Sequence, residues 1–539
     1  MKTIKLTKIG SLLVLLLTFS CTDLEETTYS ELSESNFYKT ELELLQANLR
    51  PFTHMQAWLS WSGQNGYYYH NVLSADQIAW PQKGRHAYDN GDHIRQHYHT
   101  WTQEEGRLNN AWSLMWTGLG YTNTAIEAIE AVDAESIGVT PERLASIVAE
   151  AKVLRAFHYM KIMDLWGNVP IVTTVGIPTN PETVDRTEVF AFIEQELLEN
   201  VENLQPLSQQ LIGRMSRAVG YAMLSELYLN AEIWSGTSRW EESITYADKI
   251  INGEGGALTG NIMLDQDLLG PYSNTNDQSS ENIFQFPFSR KNDFGYHWGS
   301  FYMGFSNMTA ALDYNFSGNN AFVVIPSAFD AYKEIDIRKQ EWFLFGPQYK
   351  IDTNEPILGS EEYSGEPFIY VNNIRRNTEG ETGEGSMTNG EENSGARMYK
   401  YRAGRQDDEN YLEGDYVIYR LTEMYFNKAE ALMRANGGSA TQEAVDLINE
   451  SKMRYFTPDD WLTEKYTTGT LTLDELLAER GREFIFEGKR RTDLIRFGKF
   501  TTGSWWDHEP TADLTRTLYP IPLRQLQANP NLVQNPGYN

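Results

Sequence analysis

One cysteine, Cys21, in 539 residues excludes any intrachain disulfide. Past the first twenty residues no apolar run is long enough to span a bilayer. Bases are scarce beside acids, with 45 Lys and Arg against 74 Asp and Glu and a formal net charge of −29. That balance argues against nucleic acid as a partner, because such binding depends on basic patches that neutralise phosphates. It also disfavours strongly acidic polymers as ligands. The common catalytic signatures are missing: there is no GxSxG elbow, no Walker loop, no GxGxxG and no HExxH. No Pro/Ser-rich linker divides the chain, although its length alone would suggest several domains.

What is present begins with an address. Lys2, Lys5 and Lys8 precede a short apolar run at residues 12–17, too short for a transmembrane helix. Thr18, Phe19 and Ser20 then lead into Cys21, which reads as a bacterial lipoprotein cleavage site. Residues 1–20 are thus a lipoprotein signal peptide, and Cys21 is the lipidation residue and mature N-terminus. The plainer alternative is an ordinary secretory signal followed by a free thiol. Each buried CH₂ of an acyl chain contributes about 0.8 kcal/mol, so several chains anchor stably where one does not. Cleavage removes three lysines and no acid, taking the charge from −29 to −32. Charge of this size keeps a surface protein soluble.

The remaining residues, 21–539, read as a single, mainly α domain. Helical periodicity falls in two blocks, about 104–252 and 417–497, separated by an irregular, ligand-binding insert at about 253–416. In the first block Trp112, Met115, Leu119, Ile126 and Ile129 mark one face; Val148, Ala151, Leu154, His158 and Ile162 mark the next. Val189, Ile193 and Leu197 follow, then Val219, Met223 and Leu227 after a Ser216 cap, then Trp240, Ile244, Ala247 and Ile251. The last two have the helix–turn–helix length and small-residue packing of a tetratricopeptide unit, and residues 419–434 with 442–453 repeat the pattern. Stacked pairs of this kind build a scaffold. Residues before 104 read as irregular, rich in Gly, Asn, Tyr and Trp. Residues 355–393, a Glu/Gly/Asn/Thr tract, read as a mobile surface excursion.

The stretch that organises the chain is 471–500, LTLDELLAERGREFIFEGKRRTDLIRFGKF. Thr472 with Glu475 forms a candidate capping box. Leu473, Leu476, Leu477, Arg480 and Phe484 share a helical face. Interleaved Glu479, Arg480, Arg482, Glu483, Glu487, Arg490, Arg491 and Asp493 predict a network of Arg–carboxylate pairs at the edge of a core. An anion site at residues 489–491 is the competing reading.

The segment ELLAERGREFIFEGKRRTDLIRFG resembles the C-terminal signature of the SusD/RagB family of surface nutrient-binding lipoproteins. Residues 149–172 (AEAKVLRAFHYMKIMDLWGNVPIV), 419–437 (YRLTEMYFNKAEALMRANG) and 519–538 (YPIPLRQLQANPNLVQNPGY) resemble three further family segments, in the expected order. The resemblance implies a SusD-like fold with a tetratricopeptide-like scaffold and large irregular loop insertions. It implies an outer-membrane lipoprotein facing the cell exterior, in keeping with the acidic run at residues 22–26. It implies a SusC-like TonB-dependent β-barrel transporter as partner, over which the chain sits as a lid, and an oligosaccharide as ligand. A peptide, as in RagB-like members, is the alternative ligand. The resemblance points away from catalysis, although a surface glycosidase needs only two carboxylates across a cleft.

Binding residues concentrate on loops held by a rigid scaffold. Two loops, 58–101 and 292–316, alternate aromatics with Gly, Asn, Asp and Arg. That mixture suits sugars: a ring covers the C–H face while polar groups satisfy the hydroxyls. The candidate ligand-binding residues are Trp80, Trp101, Tyr296 and Trp298 as platforms, with Asp76 and Arg85 as polar partners. His93 and His97 stand four apart, with His99 beyond, but lack the Glu of a zinc motif. The sequence therefore gives no metal site and no cofactor. Acids at 265–267, 352–354 and 407–409 are the only places for a structural calcium, and a solvated surface is the simpler reading there.

Overall fold

Helix starts along the chain are set by side chains that accept a backbone N–H two or three residues on. Thr40, Thr140, Asp185, Ser216, Thr441 and Thr472 all cap in this way. The computed structural model describes residues 38–59, 65–176, 180–289, 298–402, 404–409, 411 and 413–538. Cys21 and the signal peptide lie outside the described residues.

The first block contains α4 (Gly106–Glu130), α5 (Pro141–Trp166), α6 (Arg186–Asn200), α7 (Arg217–Leu229) and α8 (Trp240–Ile251). The second contains α9 (Leu421–Ala435), α10 (Gln442–Lys452), α11 (Leu473–Glu483) and α12 (Arg490–Arg496). Helices pack as neighbouring pairs: α4 on α5, α5 on α6, α7 on α8, α9 on α10. Helix α8 also packs on α9, so the two blocks join into one stack across the long insert. Small residues bring α8 onto α7, where Ser243 and Ala247 are buried and the Ser243 hydroxyl donates to the Ser225 carbonyl at 3.0 Å, and Lys428 of α9 reaches Asp248 of α8 at 2.6 Å.

Residues before 104 are not irregular. They hold α1 (Glu41–Trp58), α2 (Tyr67–Leu73) and α3 (Asp92–His97). Helix α1 packs on α4 and buries Leu44, Asn48, Pro51, Phe52, Met55 and Trp58, a continuous helical face in which a polar residue and a proline hide the apolar period.

The insert carries short antiparallel strands and only short α-helices, Thr309–Leu312, Pro326–Asp330 and Arg338–Glu341, among its described residues. Strand β1 (Ile78–Ala79) pairs β3 (Val323–Val324), and β2 (Asn282–Phe286) pairs β4 (Tyr416–Arg420). The second pairing sets Asn282 opposite Arg420. Residues 355–393 are fastened rather than loose. Buried Glu392 accepts from the Ser360 and Tyr363 amides at 3.0 and 2.8 Å, and buried Glu391 accepts from the Thr378 amide at 2.9 Å. One buried cluster contains Trp58, Trp166, Phe284, Phe322, Tyr419 and Tyr519, and so ties both blocks, the insert and the C-terminal tail together.

Candidate functional site

The signature stretch forms a buried ion-pair lattice. Arg420 lies 2.9 Å from both Glu281 and Glu483 and 3.0 Å from Glu487. Lys400 reaches Glu487 at 2.6 Å. Arg338 reaches Asp336 and Glu479 at 2.7 and 2.9 Å. Arg496 forks onto Glu430 at 2.7 and 2.8 Å and shares Asp493 with Arg480. Burial alone would push the Glu281 and Glu430 carboxyls up; the surrounding guanidinium groups outweigh it and hold both at about 2. The bases proposed as an anion site are all taken. Lys489 pairs Glu423 at 3.0 Å, Arg490 pairs Asp76, and Arg491 pairs Asp164 at 3.1 Å. The stretch therefore locks helices together and leaves no free charge for a ligand at 489–491.

The structure does not gather the expected ligand residues that it describes into one site. Trp80 is 5 % exposed and stacks on His93, with ring centroids 3.5 Å apart and planes 12° apart. Phe301 and Phe322 close its edges. Trp101 is 1 % exposed, and its indole N–H donates to the Tyr538 hydroxyl at 2.8 Å. Both rings are thus core, with no face left for a sugar. Asp76 forks onto Arg490 at 2.7 and 2.8 Å, yet it still lines a cleft. Tyr296 lies outside the described residues. Trp298 begins a 3₁₀ turn, Trp298–Phe301, whose backbone alone is described at that position.

Arg85 does reach the surface, with 77 % of its side chain exposed. It lies 3.3 Å from Glu361. Beside it His86 faces Phe305, with centroids 5.0 Å apart, and approaches Glu361 at 3.5 Å. The turn below is fixed. Lys83 is buried and donates to the Asn320 and Ala321 carbonyls at 2.7 and 2.8 Å. Burial, helped by Arg397, pushes its ammonium well below the ordinary lysine value. Gly84 takes φ +52°, and a Cβ there would meet Glu362 at 2.4 Å. This rim offers a guanidinium, a carboxylate, an imidazole and a half-buried ring from three segments, a set able to hydrogen-bond hydroxyls. His86 and Glu361 escaped the sequence reading because His86 is neither a Trp nor a Tyr and Glu361 lies outside the two aromatic loops.

The histidines at 93, 97 and 99 are structural. His93 bonds the Tyr69 hydroxyl at 2.8 Å, His97 the Trp506 carbonyl at 3.0 Å and His99 the Ser74 carbonyl at 2.7 Å. Burial pushes all three imidazoles down, so they are neutral near pH 7. Among the described residues no group of three His, Cys, Asp or Glu is placed to hold a metal ion. Asp265 instead accepts from Ser279 at 3.0 Å, and Asp352 pairs Arg405.

Residues 252–538 match the family model described as the SusD family. The chain belongs to the SusD family. Residues 24–229 match a second family model, described as starch-binding and associating with the outer membrane. A curated SusD relative, the starch-binding protein SusD of Bacteroides thetaiotaomicron, is 28 % identical over 434 residues, 72 % of each chain. Among solved structures, a laminarin-binding SusD-like protein superposes with TM-score 0.68 at 21 % identity over 93 % of this chain and all of that one. Surface glycan-binding protein A of Bacteroides thetaiotaomicron, in complex with laminarihexaose, gives 0.68 at 19 % identity over 92 % and 99 %. The mainly α SusD-like fold is therefore shared along nearly the whole chain.

Proposed function

We propose that this SusD-family chain is a cell-surface glycan-binding lipoprotein, anchored through Cys21, that captures an oligosaccharide and delivers it to a SusC-like TonB-dependent β-barrel transporter. Membership of the family carries the reading: the matched relative is named a starch-binding protein, and the outer-membrane association is in the description of the N-terminal match. The rim of Arg85, Glu361, His86 and Phe305 supplies hydroxyl partners and a ring edge at the surface. Buried Lys83, bonded to the Asn320 and Ala321 carbonyls, and buried Glu392, bonded to the Ser360 and Tyr363 amides, fix the two rim segments, and such preorganisation lowers the cost of binding.

The experiment is made on cells carrying the transporter. Removing this chain is expected to abolish uptake of the glycan it binds, and Cys21→Ala is expected to release the chain from the membrane fraction. Unchanged uptake without the chain would overturn the delivery role. Release of new reducing ends by the purified protein would make it a glycosidase, and binding confined to peptides would move it to the RagB-like reading.

A further inference from the structure

The loop GSWWDHEP, residues 503–510, follows the signature and draws on none of the residues of the Arg85 rim. The 384–390 segment lies between them: Met387 and Gly390 hydrogen-bond Gln82 on one side, while Glu384 and Met387 bond Trp506 and Asp507 on the other. Trp505 is half-buried. His508 lies flat on one face of its indole, with centroids 3.7 Å apart and planes 2° apart. Reciprocal backbone bonds between Trp505 and His508, at 3.3 and 3.0 Å, hold the pair together. His508 is in turn bonded to the His97 carbonyl at 2.6 Å. The indole is therefore oriented before any ligand arrives, and burial pushes the supporting imidazole below its ordinary value, keeping it uncharged at neutral pH.

Two adjoining clefts share Trp505, Ser504 and Ser327 in their walls. The smaller, ≈ 240 Å³, adds Asp76, Gln77 and Arg490. The larger, ≈ 650 Å³, adds Asp330, Asn372, Asn373, Arg375, Glu384 and Trp506. Volumes of this order suit ligands of several rings. The larger cleft has hydrogen-bonding capacity to spare. Asn372 donates to Asp330 at 2.8 Å, but its own carbonyl oxygen has no partner. Arg375 is held through Asn377 and the Gly383 carbonyl at 2.9 and 2.8 Å, with no carboxylate paired to it among the described residues.

We propose that the two clefts astride Trp505 are a binding site for a neutral oligosaccharide, with one sugar ring on the indole and neighbouring units in the cleft on each side. This rests on the glycan-binding reading above and assigns it a second surface. The chemistry selects the class. A rigid aromatic face takes the C–H side of a pyranose, and planar amides and a carboxylate take its hydroxyls. Charge selects neutrality. In the smaller cleft Asp76 and Arg490 cancel, and Arg482 is paired with Glu475 and Glu479. In the larger, Asp330 and Glu384 outnumber Arg375, so a uronate or sulfate would meet no surplus positive charge.

The test uses the full chain and a panel of neutral hexasaccharides that includes α- and β-glucans, read by calorimetry and by hydrogen exchange of the wild type. Trp505→Ala is expected to weaken binding by at least ~10-fold, as loss of a buried aromatic anchor does. Trp505→Phe should recover most of the affinity, and Asn373→Ala, on the wall and outside the core, should weaken it with an unchanged Tm. Glycan should slow exchange at 326–330, 372–375 and 504–506. Wild-type binding that is untouched by these variants, with protection only around 83–88 and 300–305, would overturn the site and leave the glycan-binding reading intact. Failure of the wild type to bind any member would overturn both.

Discussion

Glu430 sits fully buried, accepting from Arg496 through both oxygens and from Arg434 through one. Its carboxyl is held at about 2 although burial opposes ionisation. The folded value lies below the unfolded one, so the stabilisation is fully present above the unfolded carboxyl pKa of ~4.3 and is lost as pH falls toward about 2. Glu281 behaves alike, also held at about 2. Replacing one member of such a pair strands the other charge. Glu430→Gln is expected to cost ~3–5 kcal/mol at pH 7 in urea unfolding, with the gap to wild type narrowing as pH falls from 5 to 3. A gap independent of pH would show that the carboxylate charge is not what stabilises the site. At this scale the sequence was half legible. Alternating Glu and Arg in 471–500 announced ion pairs, because opposite charges at helical spacing among aromatics have few other uses. Composition could not say which rings face inward. Trp80 and Trp101 stand among polar residues in the chain but are buried in the fold, stacked on His93 and bonded to Tyr538. The Trp505–Trp506 pair, set among Gly, Ser, Asp and His, meets the same compositional criterion as those loops but follows the signature, outside the two aromatic tracts.

Helix α11 starts where its capping residue predicts. The Thr472 hydroxyl accepts from the Glu475 amide at 3.1 Å. The reciprocal half of the box does not form, because Glu475 is drawn to Arg482 at 2.6 Å and to the Tyr466 hydroxyl at 2.7 Å. Tertiary partners thus outbid a local bond. Thr472→Ala should cost ~1 kcal/mol in chemical denaturation, and Thr472→Ser should cost less; equal stability of Ala and wild type would mean that the lattice alone positions α11. Helices with clean period, such as α9 and α10, could be read almost to their ends. Helix α1 could not, since Asn48 and Pro51 occupy positions on its buried face. The strands β1 to β4 are two to five residues long, too short for alternation to register.

At the scale of the whole molecule, two helical blocks close into one stack through α8 and α9, and the lattice beneath α11 and α12 fastens the insert to that stack. Stiff support with binding groups on irregular segments is the arrangement expected of a capture protein. No helix among the described residues is long and apolar enough to cross a membrane; the attachment proposed above is through Cys21. In this account the net charge of −29 disfavours polyanionic ligands, whereas neutral glycans approach without penalty. The most direct measurement is equilibrium binding of the soluble chain from residue 22 onward to matched panels of neutral glycans, acidic glycans and peptides. The account predicts saturable binding to at least one neutral oligosaccharide and weaker or no binding to its uronate counterpart. Binding to peptides alone, or to no glycan in the panel, would contradict it.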